Sequence, residues 1–163
     1  MDAWLHEAWQ TLQAEFADIG DARQLTQITV RLLMAALLGG ILGFERESKG
    51  KAAGVRTHML VALGAALFVM VPQMSGNQAD AMSRVVQGVI AGIGFLGAGT
   101  IIKGKDDDAG QVKGLTTAAG LWMTAAIGVS AGLGRESTAV LSTLLALAVF
   151  SVMPKIVKRF EKD

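Results

Sequence analysis

Two polar runs border apolar sequence: Glu45-Arg46-Glu47 directly after Phe44, and Arg56-Thr57-His58 directly before Met59. Carboxylate, guanidinium, hydroxyl and imidazole at one boundary can ion-pair, close a polar site or sense an ion, with Glu45 meeting Arg56 or His58. The competing reading is a set of simple flanking charges, each solvated where it stands. Thr116 and Thr117, after Lys113, either cap backbone donors in the first turn of a helix or add hydroxyls to the same cluster. Asp106, Asp107 and Asp108 offer oxygen ligands to a divalent cation, but in a polar loop such acids are ordinarily solvated. No metal site is assigned, and no cofactor is implied. No catalytic residues are named: His6 and His58 are isolated, and no serine sits in a nucleophile motif. The absence of cysteine excludes a disulfide framework, a thiolate metal site and a thiol nucleophile.

Gly92, Gly94, Gly97 and Gly99 fall within eight residues and include the spacing GxGxxG. A dinucleotide fingerprint must follow a strand and open a helix, whereas this run lies inside an apolar stretch, so nucleotide binding is set aside. Two readings stay open. Either the glycines let helices approach closely, or they unwind the segment and expose carbonyls to a polar pocket.

These residues are positioned by five apolar stretches, roughly residues 28–44, 59–74, 85–102, 115–133 and 138–153. Each approaches the ~20 residues that cross a hydrocarbon core; the second and fifth are short, and Pro154 is expected to end the last. Gly39 and Gly43, Gly88 and Gly92, and Gly128 and Gly132 form small-residue pairs four apart on the first, third and fourth stretches. In lipid, helix association depends on such close approach. The pairs predict a compact bundle, alone or with one groove for a second copy. Residues 75–77 and 134–137 read as turns, and residues 45–57 and 103–114 as polar loops. Arg31, one turn inside the first stretch, either snorkels outward or turns inward toward Gln87.

Lys and Arg fall unevenly about this layout. Eleven lie on the side of the loops at 45–57 and 103–114 and of the tail; three (Arg23, Arg84, Arg135) lie opposite. The bias predicts an outside N-terminus and a cytoplasmic C-terminus. The net charge of +1 implies no nucleic-acid partner. Residues 1–22 carry Trp4, Leu5, Trp9, Leu12, Phe16 and Ile19 at helical spacing with acids on the other faces. This is the pattern of a helix lying on the bilayer surface, serving as an anchor or as a lid or subunit contact. The expected fold is therefore all-α: an N-terminal interfacial amphipathic helix (1–24), a five-helix transmembrane bundle (25–155) and a basic tail (156–163).

Three blocks, residues 39–68, 84–103 and 112–134, resemble the MgtC/SapB family of bacterial inner-membrane proteins, in order and with compatible spacing. The resemblance places the family's Glu-Arg at Glu45 and Arg46, its Arg-Thr-His at Arg56, Thr57 and His58, its glycine block at Gly92, Gly94, Gly97 and Gly99, and its Gly-Leu-Thr-Thr-Ala at residues 114–118. It implies a five-helix membrane domain. Well-known members continue into a cytoplasmic domain resembling ACT-type modules, which this sequence, ending at Asp163, is expected to lack. The resemblance further implies adaptation to low magnesium and, in pathogens, survival inside macrophages.

The function expected on this basis is that of a non-enzymatic inner-membrane regulator of membrane energetics or transport. It is expected to be a homo-oligomer, with a dimer favoured, and a membrane-protein partner is a further candidate. The alternative is a small channel or carrier for Mg²⁺ or another cation, for which carbonyls around residues 94–99 are the one feature available. A third reading, an anchor or assembly factor, rests on the N-terminal helix alone.

Overall fold

The computed structural model describes residues 2–17, 19–74, 79–103 and 112–160. The elements run α1 (Asp2–Glu15), α2 (Ala22–Ser48), α3 (Val55–Met74), α4 (Ala79–Thr100), β1 (Ile102–Lys103), β2 (Val112–Lys113), α5 (Leu115–Gly132) and α6 (Glu136–Phe160). The protein is an all-α membrane bundle: α2 to α6 are each long and apolar enough to cross a bilayer. Their outward side chains are apolar, with Leu33, Leu60, Phe68, Phe95, Leu141 and Leu145 all exposed. Lipid accepts such a surface because a helix bonds nearly all of its backbone groups internally.

The helices outrun the apolar stretches. α2 is 27 residues long and ends at Ser48, so Glu45, Arg46 and Glu47 belong to its last turns and not to a loop. α6 passes through Pro154 and continues to Phe160, correcting the expectation that Pro154 ends it. Proline removes one i→i−4 hydrogen bond, and a helix survives that loss when another donor takes the freed carbonyl. The pair β1–β2 was not foreseen; it is antiparallel with Ile102 opposite Lys113, and two residues are too few to show a period-two pattern. The acids Asp106, Asp107 and Asp108 and the expected turn at residues 75–77 lie outside the described residues.

The chain divides into Met1–Val30 and Arg31–Asp163. In the first unit, the apolar side chains of α1 are exposed. α2 begins with a cap in which Asp21 Oδ1 accepts from the Gln24 N–H at 2.7 Å, while Gln24 Oε1 accepts from the Gly20 N–H at 2.9 Å. Two orphan donors are thereby satisfied reciprocally.

In the second unit, α3 and α5 share both cores. One core joins Ala35, Leu38 and Leu42 of α2 to Ala62 and Ala66 of α3, Ile127 and Ala131 of α5, and Ala139, Ala146 and Phe150 of α6. The other joins Ala65 of α3, Ile93 of α4, and Leu121 and Ala125 of α5. Two of the three glycine pairs meet α3. A methyl on Gly39 would lie 2.7 Å from the His58 carbonyl oxygen, one on Gly43 2.6 Å from the Val55 Cα, and one on Gly132 2.5 Å from the Ala66 carbonyl oxygen. Gly128 sits equally close to the Ala62 backbone. The third pair differs, because a methyl on Gly88 or Gly92 would meet nothing within 4 Å.

Candidate functional site

The α2–α3 end of the bundle gathers buried charge, and the local fold explains how. α2 stops in a Schellman motif at Gly50 (φ 64°), with the Lys51 N–H bonded to the Arg46 carbonyl and the Gly50 N–H to the Glu47 carbonyl. Only a residue at ease with positive φ closes the helix this way. The chain then turns at once into α3, whose first N–H, at Val55, donates to Glu47 Oε2 at 2.8 Å. That carboxylate also suits the positive end of the α3 dipole. Close approach at Gly43 sets the last turn of α2 against the first turn of α3, so Glu45, Arg46 and His58 meet between helices.

Arg46 and His58 are almost fully buried, at 4% and 0% exposure. Glu45, also largely buried, lies 3.6 Å from Arg46 Nη1 and is ion-paired with Lys49. The Arg46 guanidinium stacks over the Phe150 ring, 4.4 Å from its centroid, in a cation–π contact. Lys49 donates to the Phe150 carbonyl at 2.8 Å. That carbonyl is four residues before Pro154 and has no intrahelical donor, because proline has no N–H. Lys49 of α2 therefore takes the bond that Pro154 removes from α6.

His58 Nδ1 donates to the Gly54 carbonyl at 2.9 Å; a carbonyl only accepts, so Nδ1 carries the proton. Nε2 points toward α5 at Gly120, where a methyl would lie 3.7 Å from it and 3.2 Å from Phe150 Cζ. Arg46 Nε and His58 Nε2 are buried without a hydrogen-bond partner among the described residues, whereas the buried Glu45 oxygens are engaged by the ion pairs to Lys49 and Arg46. Native interiors rarely leave such groups orphaned, and unpaired polar groups concentrate where a protein acts.

The residues expected at the site separate into two environments. Glu45, Arg46 and His58 converge, and Thr117 is buried at the start of α5. Thr116 is exposed, and the N-cap of α5 is Gly114, without a side-chain cap bond, so neither threonine caps the helix. Arg56 is exposed and pairs with no carboxylate among the described residues; with Thr57 it lines a groove between α3 and α4. Glu45 is paired instead by Arg46 and Lys49. Sequence reasoning missed Lys49, Phe150 and Pro154. The Glu45–Lys49 spacing of four on one helix was a readable signal; the α6 contacts had none.

Gly92, Gly94, Gly97 and Gly99 lie in a continuous α4, so their carbonyls stay in helical register. Gly97 faces Ala118, where a methyl would lie 3.4 Å from its Cβ, while Gly94 and Gly99 face open space. At the other end of the bundle Arg31 turns inward, donating to Gln73 Oε1 at 2.8 Å and to the Gly132 carbonyl at 3.1 Å. It thus caps α5; Gln87, the partner considered from sequence, is exposed. Among the described residues, no three His, Cys, Asp or Glu side chains gather where they could hold a metal ion.

Residues 32–159, which contain this whole arrangement, match the model of the MgtC family. The chain belongs to the MgtC family. Similar proteins include SrpB of Synechococcus elongatus, 46% identical over 133 residues, covering 76% of this chain and 73% of that protein. Protein MgtC of Brucella abortus is 41% identical over 140 residues, covering 85% of this chain and 56% of that protein. A putative magnesium transporter, YhiD of Escherichia coli, is 36% identical over 142 residues, covering 82% of this chain and 63% of that protein. The chain thus spans between about half and three quarters of the length of these relatives. No solved structure matches. Five apolar helices together with MgtC-family membership make this a multi-pass bacterial membrane protein.

Proposed function

We propose that this MgtC-family protein is a non-enzymatic regulator in the bacterial inner membrane, linked to low-magnesium adaptation and virulence-type stress survival. It acts on membrane energetics or on a transport partner, and the Glu45–Arg46–His58 cluster carries the activity. The observation that supports this is a buried ionisable cluster at one end of the bundle, in which Glu45 is ion-paired while Arg46 Nε and His58 Nε2 have no hydrogen-bond partner among the described residues. Burying ionisable groups at the end of a membrane bundle is costly, and such groups are a functional-site hypothesis by default.

The alternative is a small channel or carrier for Mg²⁺ or another cation, in line with the magnesium-transporter name of the YhiD relative. Charge weighs against conduction through this cluster. One carboxylate, Glu45, is matched by two cations, Arg46 and Lys49, which repel a divalent ion. Continuous helix through residues 92–99 also leaves no freed carbonyls there to replace a hydration shell. The excess of Lys and Arg on the loop side supports a cytoplasmic placement of the cluster and an outside N-terminus. Assembly as a homo-oligomer, most simply a dimer, belongs to the same proposal.

The test is complementation of a strain lacking this gene for growth at limiting magnesium. Glu45→Ala is expected to insert at normal levels and fail to support growth. Full complementation by that variant would remove the cluster from the mechanism.

A further inference from the structure

Beyond the buried cluster, the bundle carries a second feature with an unexplained shape. A groove of about 840 Å³ runs between α3 and α4, floored by Ala125 of α5. Arg56 and Thr57 stand at one end, Phe68 and Val85 at the other, and the open glycines Gly88 and Gly92 form one wall. Apart from Arg56 and Thr57 the lining is apolar. Arg56 is exposed and has neither an ion pair nor a side-chain hydrogen bond among the described residues; Glu47, which accepts from the adjacent Val55 N–H, is not paired with it.

We propose that this groove binds an anionic phospholipid, one acyl chain lying along Gly88 and Gly92 and the headgroup phosphate held by Arg56. Length supports the choice of occupant. From Arg56 to Phe68, twelve helical steps at ~1.5 Å span ~18 Å, close to the ~15 Å of one leaflet, half of a ~30 Å hydrocarbon core. A slot one leaflet deep, apolar along its run and cationic at its mouth, matches a lipid end to end. Guanidinium suits phosphate because its planar fork donates two parallel hydrogen bonds, and Thr57 can add a hydroxyl. Basic pockets between transmembrane helices are a recognised form of lipid-headgroup site.

A second copy of the chain fits less well. Copies inserted in the same direction and meeting symmetrically through this groove would bring both Arg56 guanidiniums to the same end, unpaired and repelling. A helix would also cross both leaflets and leave the polar mouth without a role.

The test uses the full chain purified in a non-ionic detergent, with phosphatidylglycerol and phosphatidylcholine of matched acyl chains as probes and native mass spectrometry as the readout. Phosphatidylglycerol is expected to be retained at least about fivefold more tightly, the value of one basic residue at an anionic headgroup. Arg56→Gln should erase that preference by weakening phosphatidylglycerol retention more than phosphatidylcholine retention, because both lipids carry the phosphate but choline's cation offsets its charge; the side chain is exposed, so the fold should not depend on it. Gly92→Leu fills open space and should weaken retention of both lipids at an unchanged helix content. Equal retention of the two lipids by the parent chain overturns the proposal, as does an undiminished preference in Arg56→Gln. Loss of a dimer in Gly92→Leu with lipid retention intact would also overturn it, assigning the groove to a second copy. Neither readout depends on growth at limiting magnesium, so this proposal and the regulatory one fail separately.

Discussion

Glu45 is held by two cations that reach it in different ways, and the difference decides what each substitution does. Arg46 is buried and stacked on Phe150, whereas the Lys49 side chain is 41% exposed and spans from Glu45 to the Phe150 carbonyl. That carbonyl is free only because Pro154 lacks an N–H. Lys49 and Pro154 are therefore coupled across two helices with no direct contact required between them. Lys49→Met should destabilise the parent chain more than it destabilises a Pro154→Ala background, in which α6 supplies its own donor. A double-mutant cycle by thermal unfolding in detergent is expected to give a coupling of about 1 kcal/mol, below the usual value for a charged hydrogen bond because Lys49 is partly solvated. A coupling indistinguishable from zero would mean that the bond contributes nothing. Of this site, Glu45, Arg46 and His58 were legible as a polar set at one boundary. The Glu45–Lys49 pair was readable from its spacing of four, but the link from Lys49 to Phe150 was not, because it passes through a backbone carbonyl, and carbonyls leave no mark on a sequence.

At the scale of helices, glycine pairs with identical spacing play two different parts. Gly39, Gly43, Gly128 and Gly132 let α2 and α5 close on the α3 backbone, while Gly88 and Gly92 border an open groove. Spacing alone could not separate these cases, since the difference lies in which neighbour the fold brings alongside. Gly128→Ala is expected to cost ~1–3 kcal/mol, the usual penalty for overpacking a close contact. Gly88→Ala should be neutral or stabilising by up to ~1 kcal/mol, because it removes a helix-weakening glycine and meets no neighbour. Thermal unfolding of the two variants side by side checks the contrast, and equal destabilisation would contradict it. Helix existence was plain from the apolar stretches. Helix ends were not: Glu45 to Ser48 and residues 154–160 carry polar or broken patterns, yet backbone hydrogen bonding near lipid prolongs the helix through them.

For the molecule as a whole, the proposed topology has five crossings with the two termini in different compartments, the N-terminus outside as the distribution of Lys and Arg predicts. The absence of cysteine makes this directly measurable. With single thiols introduced by Gln13→Cys in α1 and by Phe160→Cys at the end of α6, a membrane-impermeant maleimide should label the first in intact spheroplasts. The second should react only after permeabilisation. Labelling of both from one side would break the topology on which the cluster's placement depends. The larger claim is that Glu45, Arg46 and His58 form a polar contact site at one end of a bundle that does not conduct. Mg²⁺ uptake into liposomes containing the purified chain tests it most directly. Uptake no greater than in protein-free liposomes is expected, for the parent chain and Glu45→Ala alike; saturable Mg²⁺ uptake by the parent chain that Glu45→Ala abolishes would contradict it.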